Sequence, residues 1–287
     1  MARTLVWVLR LLWLPLPVTT GLAAGELVEG ASTPVRLVAA VGLWGLWLLG
    51  LVACLVPTTV ALTVLRLLAP APSVLGGVAL ADDPGVPALL AVVTGVAVAA
   101  IAFHPQLGRA FVQGSAYGDE ARFPLRAPGQ LVLGPLPILW VALAASGAGG
   151  PLLLAARQWA VGTVVSAIAV GLLVVLPRRF HLLSRRFLVF VPAGLAVHDH
   201  LVLGETAMFR WRTVRSFGRA LASTEALDLT GGSLGAAVEV ALRTPETVVR
   251  RGRRPDESTT VHTAAFLCRP TLLDDAVAEA ERRHRHG

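Results

Sequence analysis

Several residue types are missing or rare in this chain of 287 residues. It contains no lysine and no asparagine, so all twenty-five of its basic side chains are arginine, and it contains only three isoleucines and one tyrosine. The codons for these scarce residues are rich in A and T. We therefore attribute the arginine bias to codon supply in a genome rich in G and C, and we expect a high-GC bacterium as the source.

Cysteine and charge are scarce as well. Cys54 lies in an apolar stretch and Cys268 in the polar C-terminal part, which excludes a disulfide framework and a cysteine zinc motif. Charged residues make up 15% of the chain, against about a quarter in average proteins. With 55% apolar residues and a mean hydropathy of +0.68, a soluble domain of this length is excluded and a membrane protein is indicated.

The apolar stretches stop at Leu176, and the composition changes from Pro177 onward. Seventeen of the twenty-five arginines lie after that boundary, together with most of the turn-rich, alternating sequence. The predicted fold is therefore an α-helical polytopic membrane domain over residues 1–177. It is followed over residues 178–287 by a small antiparallel-β domain that a C-terminal helix closes.

A membrane-crossing helix needs about twenty apolar residues to span about 30 Å of hydrocarbon. Such stretches are predicted at 5–24, 37–56, 86–103, 131–145 and 159–176. A further stretch, 58–80, is apolar enough but is interrupted by Arg66, Pro70 and Pro72, so the number of spans is five or six. A cleaved signal peptide is the alternative interpretation of the first stretch, because small residues follow it at 21–25.

The arginines outside these stretches predict the orientation, since cytoplasmic loops carry an excess of arginine. The basic segments are the N-terminus, the loop at 104–130 and the region after Pro177. Six spans place all three in the cytoplasm, whereas five place the N-terminus outside, and we favour six. Both predict a multi-pass protein of the cell membrane with a cytoplasmic C-terminal domain.

The loop at 113–126 concentrates polar side chains between two spans. They are Ser115, Tyr117, Asp119, Glu120, Arg122 and Arg126. The simplest interpretation of this loop is a short connector whose charges pair with one another. The alternative interpretation is a docking surface for the C-terminal domain or for a partner. A catalytic role for Ser115 would need a neighbouring base, and His104 is eleven residues away.

The C-terminal part alternates apolar and polar residues with a period of two, which is typical of strands. About seven strands are predicted, at 187–191, 195–202, 208–217, 226–230, 236–243, 247–250 and 259–267. A helix is predicted at 271–285, where Thr271 and Asp274 fit a capping box and arginines follow at the C-terminal end.

Seven short strands and one closing amphipathic helix resemble the bacterial pleckstrin-homology-like (PH-like) domains, above all in the segment 187–217. The whole chain is also similar to a group of uncharacterised multi-pass membrane proteins of high-GC actinobacteria. That similarity is carried by the stretches 114–126 and 186–194. It implies a fold and a location but no activity.

Two groups in this part could bind a ligand. Four arginines in a predicted hairpin loop could contact anionic lipid or a partner: Arg250, Arg251, Arg253 and Arg254. His198 and His200 have a spacing that a metal site could use, with His262 as a distant third, but solvated histidines are the simpler interpretation and no metal is predicted.

No motif in the chain defines a reaction, since phosphate-binding loops, zinc helices and nucleophile elbows are all missing. We therefore expect a non-catalytic scaffold or accessory protein whose cytoplasmic domain binds a protein partner or anionic lipid, with no cofactor and no nucleic acid. The alternatives are a membrane enzyme acting through 113–126 and a transporter or channel subunit. The predicted spans contain no Asp, Glu or His, which argues against the last.

Overall fold

The computed structural model describes residues 2–221, 223–252 and 257–285. The chain forms two compact units, and the division does not follow the change of composition at Pro177. The helical unit contains the chain up to Phe111 together with Leu136–His181. The β unit contains Val112–Pro135 together with the chain from Leu182 onward. The polar segment between two apolar helices thus belongs to the β unit.

Long apolar helices build the helical unit, and the last residues of two of them already belong to the β unit. They are α1 (Ala2–Trp13), α2 (Leu16–Leu27), α3 (Thr33–Leu55), α4 (Thr59–Leu68), α5 (Ala71–Asp82), α6 (Val86–Ala102) and α7 (Pro105–Gln113). After the short helix α8 (Gly129–Leu133) of the β unit come α9 (Pro135–Ala155) and α10 (Trp159–Ser184).

Within the described residues, five helical stretches are long and apolar enough to cross a membrane. Two of them combine neighbouring helices, namely α1 with α2 and α4 with α5. The other three are the single helices α3, α9 and α10. Helix α6 has 17 residues and is too short to be a candidate by itself. It becomes a candidate span only when α7 is counted with it, and the two helices are bent relative to each other by 56°. The stretch at 58–80, which the sequence left uncertain, therefore lies in a helical stretch of 24 residues that is long enough to span a membrane. The stretch at 86–103 reaches the required length only when α7 is added to α6.

Prolines set the internal breaks in the first and third of these stretches. Pro15 and Pro17 lie at the junction of α1 and α2, and Pro70 and Pro72 at the junction of α4 and α5. Proline lacks an N–H and clashes with the preceding turn, but it fits the first turn of a helix. Each break is accordingly followed at once by a new helix.

The two arginines within the predicted apolar stretches bond to helix ends. Arg10 donates from Nε to the carbonyl oxygen of Cys54 (3.0 Å) near the end of α3. Arg66 donates from Nε to the carbonyl oxygen of Ala102 (3.4 Å), the last residue of α6. The final carbonyls of a helix have no partner within it, so both guanidiniums satisfy groups that would otherwise be unpaired in an apolar setting.

The described strands of the β unit form two four-stranded sheets. The first has the order β1 (Ala121–Pro124), β2 (Phe187–Val191), β3 (Gly194–His198), β4 (Ala207–Arg210), and all its pairs are antiparallel. The second has the order β5 (Val214–Arg219), β7 (Val238–Arg251), β8 (Ser258–Cys268), β6 (Leu227–Asp228), with β6 parallel to β8. Helix α11 (Leu273–His284) follows β8.

Strand β1 comes from the segment between α7 and α9, more than sixty residues before its partner β2. Ala121 pairs with Phe190 and Pro124 with Phe187, so the strand is in register along its whole length. The pairing continues beyond it, since the N–H of Leu125 donates to the carbonyl oxygen of Arg186 (3.0 Å). The β unit is therefore discontinuous in sequence.

Three predicted strands are divided differently in the structure. The stretch at 208–217 divides into β4 and β5, which belong to different sheets, because a 3₁₀ turn at Trp211–Thr213 separates them. Trp211 is buried there and donates from Nε1 to the carbonyl oxygen of Val191 (3.0 Å). The stretches at 236–243 and 247–250 instead form the single strand β7, with an irregularity between Ala241 and Glu246.

Both sheets and α11 share one hydrophobic core. Phe123 of β1 packs edge-on against Phe190 of β2, and Phe266 of β8 and Ala276 of α11 lie in the same buried cluster. Burying a phenylalanine side chain stabilises a fold by about 1.5–3 kcal/mol. Strand β1 therefore belongs to the core of the unit and does not simply cover its edge.

The start of α11 differs from the predicted capping box. The N-cap residue is Leu272, and no side chain caps the helix there. The backbone N–H of Thr271 donates to the carbonyl oxygen of Pro124 (2.8 Å), and its hydroxyl has no hydrogen-bond partner in the described part of the chain. The pairing with the end of β1 thus takes Thr271 out of the capping position. Asp274 and Asp275 do lie in the first turn, where the helix dipole favours negative charge.

Candidate functional site

A closed set of polar contacts holds the segment that joins α7 to β1. The side chain of Gln113 accepts a hydrogen bond from the N–H of Arg122 (2.8 Å) and donates one to the carbonyl oxygen of Glu120 (2.7 Å). The Glu120 carboxylate accepts from the N–H of Tyr117 (2.9 Å) and from Nε of Arg122 (2.9 Å). The hydrogen bond from Arg122 lowers the pKa of Glu120, which stabilises the carboxylate form. The segment is thus an ordered turn.

Asp119 of this turn contacts the C-terminal helix. Arg283 of α11 donates from Nη2 to Oδ1 of Asp119 (3.0 Å) and from Nη1 to its carbonyl oxygen (3.0 Å). Nε of the same guanidinium donates to the buried carboxylate of Glu279 (2.6 Å). The turn and the helix are therefore joined by one arginine that bonds to both.

Arg126, at the end of the same segment, is held in place by hydrogen bonds. Its N–H donates to the carbonyl oxygen of Arg269 (2.8 Å), and its own carbonyl oxygen accepts from Nη1 of Arg186 (2.7 Å). Its guanidinium lies against the turn after β6, at 3.5 Å from the carbonyl oxygen of Leu234. These contacts are all made within the β unit.

Arg186 and Asp199 form a buried ion pair. Nε and Nη2 of Arg186 donate to the two carboxylate oxygens of Asp199 at 2.8 and 2.7 Å, with the side chains 1% and 0% exposed. Arg186 also donates to the carbonyl oxygens of Arg126 and Thr230, so its fork of donors joins three parts of the chain. A buried pair of this kind is stable because its remaining donors are satisfied.

An aromatic and cationic stack lies on the first sheet. The guanidinium of Arg122 lies 5.3 Å from the ring centre of Phe187. That ring stacks on the imidazole of His198 at 4.9 Å, and the imidazole meets His200 edge-on at 4.3 Å. Strand pairing produces this arrangement, because Arg122, Phe187 and His198 lie on the neighbouring strands β1, β2 and β3.

Both histidines are held in the neutral form. Burial lowers the pKa of His198 to about 4, and the neighbouring His200 imidazole, Arg185 and Arg122 add to the effect, although Asp199 acts in the opposite direction. Burial also lowers the pKa of His200; Arg185 and Arg251 add to the effect, and Asp199 opposes it. Three arginines therefore act on one pair of imidazoles.

The four arginines of the predicted hairpin loop have different positions. Arg250 and Arg251 end β7, and Arg253 and Arg254 lie outside the described residues. Arg251 donates from Nη1 to the carbonyl oxygen of His200 (2.9 Å), which brings it to the imidazole pair. β7 and β8 do form the predicted hairpin.

We call the group that results the basic cluster: Arg122, Arg185, His198, His200 and Arg251. Arg122 is paired with Glu120, but Arg185 and Arg251 are exposed and pair with no carboxylate within the described residues. Nε2 of His200 is inaccessible to solvent and has no hydrogen-bond partner in that part of the chain. A buried polar nitrogen without a partner is costly, so this atom marks a position where a ligand could compensate.

The cluster is better suited to an anion than to a metal ion. Nδ1 of His198 contacts the hydroxyl of Thr206 at 2.9 Å, and the surrounding guanidiniums repel cations. No group of three histidine, cysteine, aspartate or glutamate side chains with metal-site geometry occurs among the described residues. Guanidiniums form strong, directional hydrogen bonds to phosphate and carboxylate oxygens.

The remaining residues of the polar segment do not form a catalytic arrangement in the described structure. The N–H of Ser115 donates to the carbonyl oxygen of Val112 (3.3 Å), and its hydroxyl has no described hydrogen bond to a base. The side chain of Tyr117 is 88% exposed. Both residues lie at the tip of the turn, on the solvent-accessible side of the Gln113–Arg122 contacts.

Sequence reasoning missed the roles of Arg185, Arg186 and Asp199. Arg185 and Arg186 belong to the basic region after Pro177 that indicates the orientation, and Asp199 lies between the two histidines. The sequence did contain a signal for the buried ion pair. In a hairpin, a charged residue directly before the first strand lies opposite a charged residue directly after the second, so the two side chains can pair. The contribution of Arg122 required knowing that 121–124 is a strand of this sheet.

Comparisons with protein-family models, with curated proteins and with solved structures found no match to this chain.

Proposed function

We propose that the chain is an integral protein of the cell membrane that acts as a non-catalytic accessory or scaffold protein, and that its β unit binds anionic phosphate head groups through the basic cluster. The apolar helices support the membrane location, since five of them have the length and composition of spans. The basic cluster supports the ligand class. The two parts of the proposal are tested separately.

The distribution of arginine supports a cytoplasmic position for the β unit. This unit contains the segment from Val112 to Pro135 and the chain from Leu182 onward, which include most of the arginines of two of the three basic segments. The positive-inside rule places both on the cytoplasmic side. The chain therefore enters the unit from one apolar helix, leaves it into a second, and returns from a third.

The architecture of the β unit supports the resemblance to PH-like domains. Two sheets enclose a common core, and a C-terminal helix with a buried apolar face packs into it. The discontinuity is the distinctive feature, because β1 is supplied from between two helices.

The basic cluster is the observation that carries the proposal. Arg185 directly follows α10, whose predicted span 159–176 ends before it, so a membrane-crossing α10 places Arg185 on the same side of the membrane as the end of that span. Arg185 and Arg251 have no carboxylate partner within the described part of the chain, and both act on the same imidazole pair. Each basic residue near an anionic bilayer surface contributes about 1 kcal/mol of attraction, and lipid phosphates are the anions present there at high density.

The alternatives gain less support. An enzyme acting through 113–126 needs a base beside Ser115, and that segment instead folds into the first sheet. A transporter needs an ionisable group that can exchange a ligand within the membrane. Arg10 and Arg66, the two arginines of the apolar stretches, bond to the carbonyl ends of α3 and α6.

Lipid binding by the full chain tests the proposal. A fragment that starts at residue 184 lacks β1, so the test uses the intact protein in a neutral detergent. Short-chain phosphatidylglycerol or phosphatidylcholine is added, and bound lipid is counted by native mass spectrometry. We expect preference for phosphatidylglycerol, weakened roughly thirtyfold by Arg185→Gln with Arg251→Gln, because each of the two lost contacts costs about 1 kcal/mol.

Arg215→Gln is the matched control, because it removes one exposed arginine from β5 outside the cluster. This variant should bind as the unchanged protein does. Equal binding of the two lipids, or an equal loss in the control, would contradict the anion site. The scaffold role is tested by gentle purification from the native membrane, where a protein partner should co-elute at comparable amounts.

A further inference from the structure

The helical unit contains a half-open cavity of about 690 Å³. It is lined by α2 from Leu16 and by the following turn as far as Glu29, by α3 from Trp47 back to Arg36, and by residues at the junction of α4 and α5. Sites for small organic ligands have volumes of about 300–1,000 Å³. The cavity is therefore large enough for a specific ligand.

Glycines on α2 open the cavity. Gly21 and Gly25 lie four residues apart, so they share one face of the helix, and both line the space. A methyl group placed on either would meet no atom within 4 Å. In contrast, Gly50 and Gly95 of the same unit are closely covered, by the Trp13 ring and by the backbone of Ser73 respectively. The missing side chains at 21 and 25 thus leave space that packing does not use.

The two ends of the cavity differ in chemistry. At one end Trp13 and Trp47 are joined by reciprocal hydrogen bonds, each donating from Nε1 to the carbonyl oxygen of the other at 3.0 Å. At the other end, near the turn between α2 and α3, lie Glu29 and Arg36. Neither of these two side chains forms an ion pair within the described residues, although both line the same space.

The dimensions match one lipid chain. Helix α2 has 12 residues and is about 18 Å long at about 1.5 Å per residue. The hydrocarbon core of a bilayer is about 30 Å thick, so one leaflet, and hence one acyl chain, extends over about half of that. An apolar channel of this length with charges at one end has the shape and polarity of an amphipathic lipid.

The charges select the head group. One carboxylate and one guanidinium at the same end complement a head that carries both an ammonium and a phosphate. Glu29 can accept hydrogen bonds from a primary ammonium, which a quaternary ammonium cannot donate. Arg36 can donate to the phosphate oxygens.

We propose that this cavity binds one phospholipid with a primary amine in its head group, with an acyl chain along α2 and the head between Glu29 and Arg36. The inference rests on the membrane location put forward above, but it is independent of the basic cluster. The site lies entirely within the helical unit.

The test uses the full chain, delipidated in a mild non-ionic detergent and then titrated with phosphatidylethanolamine, phosphatidylcholine or phosphatidylglycerol. Native mass spectrometry counts the lipid that is bound. We expect one phosphatidylethanolamine per chain, bound roughly tenfold more tightly than phosphatidylcholine, since a hydrogen bond to a charged group contributes about that factor. Comparable binding of phosphatidylethanolamine and phosphatidylcholine overturns the proposal.

Gly21→Phe fills the cavity and should abolish this binding, because its side chain enters the open space. Gly77→Phe is the matched control: Gly77 lies on α5, also faces open space and does not line the cavity. Glu29→Gln should keep the chain bound but remove the preference for phosphatidylethanolamine, and it lies in an exposed turn where folding is unaffected. An unchanged preference in Glu29→Gln, or equal loss in both glycine variants, contradicts the site.

Failure here and failure of the proposed function are distinguishable. Arg185→Gln with Arg251→Gln should leave phosphatidylethanolamine binding unchanged while it weakens phosphatidylglycerol binding. If the protein is released from membranes by alkaline carbonate, the membrane location itself is wrong. If it stays in the membrane but binds no phosphatidylethanolamine, only the cavity site is wrong.

Discussion

Arg186 and Asp199 form a buried ion pair that fixes the backbone on both sides of the basic cluster. The two hydrogen bonds measure 2.8 and 2.7 Å, and the carboxylate also accepts from the N–H of Leu201 (3.0 Å). Arg185 directly precedes Arg186, and His198 and His200 flank Asp199. Three of the five residues of the cluster are thus neighbours in sequence of the pair, and their positions depend on it.

Breaking this pair should destabilise the β unit strongly. Arg186→Met leaves the Asp199 carboxylate buried without its partner, which costs about 3–5 kcal/mol. Cys268 provides the readout, because it is buried in the core of this unit and burial raises the pKa of its thiol to about 12. In a Cys54→Ala background, thiol labelling of Cys268 should become much faster.

Arg219→Met is the control for that experiment. Arg219 pairs with Asp274 at 2.5 Å, but the two side chains are 64% and 77% exposed. An exposed pair contributes about 0–1 kcal/mol, so labelling should hardly change. Equal labelling rates in Arg186→Met and Arg219→Met would show that the buried pair has no special role.

The β unit should not fold without the segment between the helices. A fragment of residues 184–287 lacks Phe123 and Leu125, both of which are buried in the shared core, and removal of a core phenylalanine alone costs about 3–5 kcal/mol. We expect this fragment to be unfolded and a peptide of residues 112–135 to restore its folding. Proton NMR dispersion measures the change.

The matched peptide carries Phe123→Asp, which places a charge in the core and should not restore folding. A fragment of residues 184–287 that is well folded alone would mean that β1 is dispensable. The same result would allow lipid-binding tests on the isolated part.

Loss of the Asp119 side chain should loosen the turn at 113–126 without unfolding the unit. Asp119 is 78% exposed, so Asp119→Ala should cost less than about 1 kcal/mol. Limited proteolysis in membranes should show faster cleavage within 113–120. The control is Glu281→Ala, which removes an exposed partner of Arg285 on the same helix that contacts Asp119. If cleavage in Glu281→Ala is as fast as in Asp119→Ala, the effect belongs to α11 in general and not to the Asp119 contact.

Acid should destabilise the β unit through His198. Its pKa is lowered to about 4 in the folded protein from an ordinary value of 6.5, so the unfolded chain binds more protons between these values. The stability that the neutral imidazole provides is complete above about pH 6.5 and is lost as the pH falls towards about 4. Thermal unfolding followed by tryptophan fluorescence should show this decline.

His198→Gln should reduce the acid dependence, whereas the exposed His262→Gln should preserve it. His200 and Asp199 face His198 from the same hairpin, Arg185 faces it from the connection between α10 and β2, and Arg122 faces it from β1. A bound phosphate would oppose these positive charges, so it should raise the pKa of His198. A decline that is identical in His198→Gln and the unchanged protein contradicts the assignment.

The sequence predicted an apolar helical part followed by strands and a C-terminal helix because these patterns are local, but it did not predict how the strands divide after β3. The run at 187–191 coincides with β2, and α11 lies within the predicted 271–285. The strand at 121–124 was not predicted, since its four residues show too little alternation and its partner lies more than sixty residues away. Pairing over such a distance is determined by the tertiary core, where Phe123 meets Phe190.

The candidate site was only partly predictable for the same reason. The arginines at 250 and 251 and the histidines at 198 and 200 were identified by their local density. That Arg122 and Arg185 both act on His198 depends on β2 pairing with β1 on one side and with β3 on the other, which no local pattern encodes. The cavity in the helical unit depends likewise on how α2, α3 and α5 pack.

The most direct test of the central claim is photocrosslinking with an anionic phospholipid probe in membranes that contain the intact protein. The account predicts crosslinked peptides from 182–200 and from the end of β7, lost in Arg185→Gln with Arg251→Gln and retained in Arg215→Gln. A choline phospholipid probe should label these peptides much less. Equal labelling by the two probes, or labelling that survives the double substitution, would contradict the proposal that the basic cluster binds anionic head groups.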